Sequence, residues 1–187
     1  MKSLRSSVML LLDQHTPSRL LIPAIESCGY LCEKTQWTQL HGIARHSPGI
    51  LLIAQLEIQQ PQLRDIIKHT ESANHAVVVM LERAHDSVIH SLVDAETSLL
   101  HVGLLPYERM SFLLKLAVAR HELRLRRQQQ VKELQVQMQD MKLVSRAKGK
   151  LMHQQGITET RAHATMQKLA MARGQTLGEL AQAILAS

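Results

Sequence analysis

The sequence is poor in aromatic residues: Tyr30, Trp37, Tyr107 and Phe112 are the only four among 187 positions. This argues against nucleic-acid modules that stack bases on Phe or Tyr, such as RRM sheets and OB-folds. Any grip on a polyanion has to use other side chains. Cysteine is almost absent too. Cys28 and Cys32 form no disulfide framework, and a C-x3-C spacing without a second pair predicts structural thiols, not a metal site. No apolar run reaches the length a bilayer needs; the longest, Val8–Leu12 and Ala76–Leu81, suit buried strands. The basic, briefly apolar N-terminus stops at Asp13 without a small-residue cleavage pattern, so no signal peptide is read and a reducing cytoplasm is expected. Eleven histidines are present, but His41/His46 and His85/His90 are five apart, not the four that places two ligands on one helical face. With no Gly-rich phosphate loop and no nucleophile–base pair either, neither an enzyme nor a metal or cofactor is expected.

What is present is charge, and it is uneven. The chain carries a formal net charge of +6. Residues 1–110 hold nine Lys/Arg against eleven Asp/Glu, whereas residues 111–187 hold thirteen against five. All five prolines (Pro17, Pro23, Pro48, Pro61, Pro106) lie in the first part. This break places a boundary near Tyr107 and moves any polyanionic partner to the C-terminal part.

The first part alternates. Short apolar runs at Val8–Leu12, Leu31–Cys32, Ile50–Ala54, Ala76–Leu81 and Leu99–Leu104 are separated by helix-like stretches at Ser18–Cys28, Thr38–His46, Gln62–Glu71 and Asp86–Ala95. Alternation at this spacing predicts a parallel sheet covered by helices on both faces, at the size of a flavodoxin-like α/β fold.

The second part predicts a long helix from Glu108 to about Gln155, on the order of 70 Å at ~1.5 Å per residue. Val131, Leu134, Met138 and Met141 form a two-heptad seam with 3-4-3 spacing; Leu116 and Leu123 fall in a different phase of that repeat. A lone helix of this length needs a partner, so a homodimer is expected through the seam, over the alternative of a helix folded back on its own sheet. Thr158 then reads as an N-cap for a helix to Arg173, Gly174 as its stop, and Thr176-Leu-Gly-Glu179 as a capping box for a last helix. Leu151, Ala162, Met166, Leu169, Leu177, Ala181 and Ile184 can close a small three-helix module.

The string Ser145-Arg-Ala-Lys-Gly-Lys-Leu-Met-His-Gln-Gln-Gly-Ile-Thr-Glu159, with Ala162, Leu169-Ala-Met171 and Leu177-Gly-Glu-Leu-Ala-Gln-Ala-Ile-Leu185, resembles the ANTAR domain of RNA-binding transcription antiterminators. The whole arrangement is similar to AmiR/NasT-type regulators: a receiver-like domain over residues 1–107, a coiled-coil dimerisation helix over 108–144 and an ANTAR module over 145–187. Arg161, His163 and Gln167 depart from the residue types common in the family. The resemblance implies binding to a two-hairpin leader mRNA that favours transcription past a terminator. Arg146, Lys148, Lys150, Arg161, Lys168 and Arg173 are the candidate RNA contacts, with Lys148 foremost because it lies in the matched Ala-Lys-Gly segment. Arg120, Arg124, Arg126, Arg127, Lys132 and Lys142 read instead as the solvated face of the long helix.

The same resemblance implies a negative. A working receiver needs an acidic pair after its first strand, a phosphoacceptor Asp after its third, a hydroxyl after its fourth and a Lys-Pro after its fifth. Here Asp13 stands alone, Ala54 takes the acceptor position, Leu81-Glu82 offers no hydroxyl, and Leu105 precedes Pro106. Phosphotransfer needs a carboxylate nucleophile and a Mg²⁺ held by clustered acids. In place of phosphorylation, the resemblance implies control by a protein partner, such as a small-molecule-sensing protein that sequesters the regulator. Two rival readings are a DNA-binding response regulator and a coiled-coil adaptor that binds only proteins. The final stretch Leu177–Leu185 counts against the first, because it has almost no base-reading side chains.

Overall fold

A computed structural model describes residues 7–16, 18–43 and 49–186. The chain divides into two compact units, Met1–Leu125 and Arg126–Ser187.

The first unit runs β1 (Ser7–Leu12), α1 (Ser18–Glu26), β2 (Leu31–Thr35), a 3-10 turn leading into α2 (Leu40–Ile43), β3 (Ile50–Gln55), α3 (Gln60–Ser72), β4 (Ala76–Leu81), α4 (Asp86–Asp94) and β5 (Leu99–Val102). The strands form one sheet in the order β2-β1-β3-β4-β5, every pairing parallel. This is the doubly wound order of flavodoxin-like folds. All six residues of β3 and all six of β4 are buried, which is why these strands read as unbroken apolar runs.

Strand alternation sorts the core into two layers. Ile50, Leu52 and Ala54 join Leu21 and Ile25 of α1 on one face. Leu51 and Ile53 meet Leu40, Leu63, Ile66, Val88 and Leu92 on the other. Each fully buried aliphatic side chain contributes about 1.5–3 kcal/mol.

α5 (Met110–Gln155) begins on the first of these layers. Met110, Leu114 and Ala117 are buried against the sheet, and His121 continues the stripe one turn on. Arg124, read from sequence as part of a solvated face, is only 11% exposed in its side chain and pairs with Glu96 at 3.3 Å. Its Nη2 donates to the Thr70 carbonyl at 2.9 Å, satisfying the C-terminal end of α3. The first unit therefore reaches past the composition break at Tyr107.

The helix expected over Thr38–His46 is shorter where it is described, a 3-10 turn at Trp37–Gln39 followed by α2; His46 lies outside the described residues, as do Pro17 and Pro48. β2 runs on through Glu33 and Lys34 to Thr35. Its polar end concealed it from a search for apolar runs, because it is an edge strand.

The second unit is the rest of α5 with α6 (Glu159–Arg173) and α7 (Leu177–Ala186). The Thr158 hydroxyl accepts from Arg161 N, and α6 ends at Gly174, held left-handed at φ 62°. Glu179 N donates to Thr176 Oγ1 at 3.2 Å while Thr176 N donates to Glu179 Oε2 at 2.8 Å, completing the capping box of α7. Ala147 and Leu151 of α5, Ala162, Met166 and Ala170 of α6, and Leu180 and Ala181 of α7 form the core. A Cβ at Gly178 would fall inside the van der Waals shell of the Asp140 carboxylate, so this glycine lets α5 and α7 close up.

Candidate functional site

In the first unit a cavity of about 600 Å³ opens among the loops after β1, β3 and β4, lined by residues that include Asp13, Gln55, Glu57, His85 and Ser87. In open parallel sheets this is where ligands bind. Asp13 is fully engaged there. Its Oδ1 accepts from His15 N at 3.0 Å, Thr16 N at 2.7 Å and Thr16 Oγ1 at 2.7 Å, and its Oδ2 accepts from Leu56 N at 2.7 Å. Burial pushes this carboxyl up, but the hydrogen bonds from Thr16, Leu56 and His15 outweigh it and hold it below its ordinary value. The surviving acid is a clamp joining two loops.

Ala54, expected at the phosphoacceptor position, is fully buried in the core beneath α1 and α5. The alternation of β3 turns it away from the crevice, and the next residue, Gln55, lines the crevice instead. Neither is a carboxylate. Among the described residues no group of three or more His, Cys, Asp or Glu side chains is placed to hold a metal ion, so the residues present do not assemble the acidic cluster that the Mg²⁺ of receiver phosphotransfer requires.

In the second unit the six candidate cations do not converge on one surface. Lys148 donates through Nζ to Glu159 Oε1 of α6 at 2.6 Å, and this ammonium holds the Glu159 carboxyl below its ordinary value. Lys150 donates through Nζ to the Ile184 carbonyl at 2.9 Å, a charge placed on the C-terminal end of α7. The two lysines thus lie on opposite flanks of α5, one toward α6 and one toward α7.

Arg146 is exposed and lines a shallow depression with Gln139, Lys142 and Leu143. On α6, Arg161 and Lys168 are exposed, two turns apart and away from the buried Ala162–Met166–Ala170 stripe. Near them Ala164, Gln167 and Ala172 are exposed and Thr165 is half-buried; the two alanines leave room beside the cations. Arg173 is exposed at the end of the helix. Two features escape a reading of charge alone: Met171, 84% exposed on α6, and Lys142 beside Arg146. The i, i+4 spacing of Lys142 and Arg146 was the available signal for the second.

The seam residues Val131, Leu134, Met138 and Met141 are all more than half exposed, and Phe112, Leu116 and Leu123 of the same helix are exposed as well. The different phase of Leu116 and Leu123 holds only for a seven-residue repeat. At steps of eleven, Phe112, Leu123 and Leu134 fall in line, as do Leu116 and Met138, with Arg127 between them. Eleven residues at 3.6 per turn return to within about 20° of the starting direction, so an eleven-residue repeat winds slightly right-handed.

Residues 132–185 match the ANTAR domain family, a match that begins within α5, ahead of Ser145. By structure, the chain is similar to a response regulator from Thermotoga maritima, at 13% identity and a TM-score of 0.52, over 62% of this chain and 99% of that one. It is also similar to a DNA-binding response regulator of the LuxR family from Staphylococcus aureus, at 12% identity and a TM-score of 0.50, over 60% and 98%. A third likeness is to the signal receiver domain of a modulated diguanylate cyclase from Desulfovibrio desulfuricans G20, at 11% identity and a TM-score of 0.51, over 64% and 98%. At these identities the fold alone is shared. No curated protein matches by sequence.

Fold and sequence together define a chain of two parts: a receiver-like α/β domain, followed by a small helical module. The chain carries an ANTAR domain behind its receiver-like domain, an organisation consistent with AmiR/NasT-type regulators.

Proposed function

We propose that the chain is a transcription antitermination regulator that binds a two-hairpin leader RNA as a homodimer. It is controlled by a small-molecule-sensing protein partner, not by phosphorylation. The observation that carries this reading is the exposed pair of cations, Arg161 and Lys168, on α6 within the stretch that matches the ANTAR domain. Arg161 and Lys168 are separated by about 10 Å along the helix axis at ~1.5 Å per residue, and Ala164 and Ala172 let a phosphate backbone approach between and beside them. Arg146 and Arg173 add charge at the margins of the module. The exposed stripe on α5 supports pairing with a second copy, and the absence of a carboxylate at Ala54 and Gln55 supports control from outside the crevice. α7 argues against reading DNA: its exposed polar side chains within Leu177–Leu185 are Glu179 and Gln182, too few for a recognition helix.

Gel shifts of the full chain on a two-hairpin RNA and on duplex DNA test the reading. RNA is expected to bind and duplex DNA to bind weakly. Arg161→Ala with Lys168→Ala is expected to weaken RNA binding at least tenfold and to flatten the salt dependence, by about 0.7 in slope for each phosphate no longer neutralised. Equal affinity for duplex DNA, or an unchanged affinity in the double variant, overturns it.

A further inference from the structure

Lys148 is the module's cation with its own internal anion. Its stem is largely covered, at 21% side-chain exposure, while Glu159 is 67% exposed and only 2.6 Å from the ammonium. The pair joins α5 to the first turn of α6 with its carboxylate on the outside. Lys150, by contrast, is spent on a helix end. A phosphate approaching Lys148 therefore meets Glu159 first.

We propose that Glu159 is a specificity-determining residue of the RNA interface: RNA must displace this carboxylate from Lys148, so only an RNA that places a phosphate there makes the exchange. This rests on the RNA-binding reading above. The exchange is close to neutral, because an exposed ion pair and a lysine–phosphate pair in water are of similar strength. A poorly placed phosphate leaves the Lys148–Glu159 pair intact and meets a carboxylate with no free cation beside it. At about 6 Å in water, two like charges repel enough to cost roughly threefold in affinity. A well-placed phosphate captures the lysine and swings the carboxylate away. The gain for the right RNA is small, and the loss for the wrong one is what discriminates.

The test is a double-mutant cycle on the full chain, using a two-hairpin leader RNA and a single-stranded RNA of the same length without hairpins. Glu159→Gln is expected to tighten both RNAs three- to tenfold, the unstructured RNA more, and to steepen the salt slope of the unstructured RNA by about 0.7, as Lys148 becomes free to neutralise one more phosphate. Lys148→Ala is expected to weaken binding, because it unmasks Glu159; adding Glu159→Gln to it is expected to restore most of the affinity. Thermal unfolding of each variant controls for damage to α6. A folded Glu159→Gln variant with unchanged affinity and slope overturns the proposal. So does a double variant that binds as tightly as Glu159→Gln alone, since Lys148 would then contribute nothing to the gain. Failure of the unaltered chain to bind hairpin RNA would instead overturn the RNA-binding reading itself.

Discussion

At the residue scale, the histidines are where sequence and structure part most. Spacing along one helix gave no reason to connect His69, His75 and His121, yet all three are buried in the first unit. His69 and His75 bring their Nε2 atoms to 3.0 Å. Burial, reinforced by His69 and His121, pushes the His75 imidazole down from 6.5 to about 4. Burial lowers His121 as well, with Arg124 adding to it and a backbone bond at Asn74 opposing it. The folded state thus prefers neutral His75, whereas the unfolded chain takes up a proton near pH 6.5. Stability from this residue is complete above that pH and falls as pH drops from about 6.5 toward 4. At pH 5 the loss is about 2 kcal/mol. Denaturant unfolding at pH 7 and pH 5 is expected to show it, and His75→Gln is expected to remove most of the pH dependence; a parallel fall in the variant would assign the effect elsewhere. Such a cluster is invisible in sequence because α3, the start of β4 and α5 assemble it. Ala54 and Gln55 carry the same lesson at smaller scale: that this end of β3 holds no carboxylate was legible, but the face of β3 that meets the crevice was fixed only by the strand's register.

At the element scale, legibility followed periodicity and end signals. β3 and β4 declared themselves because they are buried throughout, and α6 and α7 because Thr158, Gly174 and the Thr176–Glu179 box mark their ends. β2 showed only its first two residues, Leu31–Cys32, as an apolar run, because the rest of this edge strand is polar. α5 was legible as a helix, but its faces were not, because its first turns answer to the sheet and its last turns to a three-helix core. Arg124 illustrates the consequence: the same charge pattern that means a solvated face elsewhere here closes the end of α3. The exposed stripe follows the eleven-residue step, so its centre, not its ends, should govern pairing. Leu134→Glu, with neighbours at both spacings, is expected to convert the full chain from dimer to monomer in sedimentation equilibrium, while Leu125→Glu, on the opposite face of the helix with Val136, is expected to leave it unchanged. Loss of pairing in both variants would mean that pairing does not follow this stripe.

At the scale of the whole molecule, the uneven charge becomes a division of labour. By unit, residues 1–125 hold twelve Lys/Arg against twelve Asp/Glu and residues 126–187 ten against four, so on the proposed reading affinity for RNA belongs to the second unit and the number of modules to the pairing of α5. A dimer offers two ANTAR domains. If each takes one hairpin, the second hairpin binds at the effective concentration set by the first, and a two-hairpin RNA is expected to bind about 10²-fold or more tighter than either hairpin alone. The monomeric Leu134→Glu chain has only one module to offer. It is expected to keep the single-hairpin affinity and to lose the preference for two. Titrations of both chains with one- and two-hairpin RNAs separate the two contributions. A monomer that retained the full preference would mean that one module reads both hairpins, and pairing of α5 would then have no part in recognising the RNA.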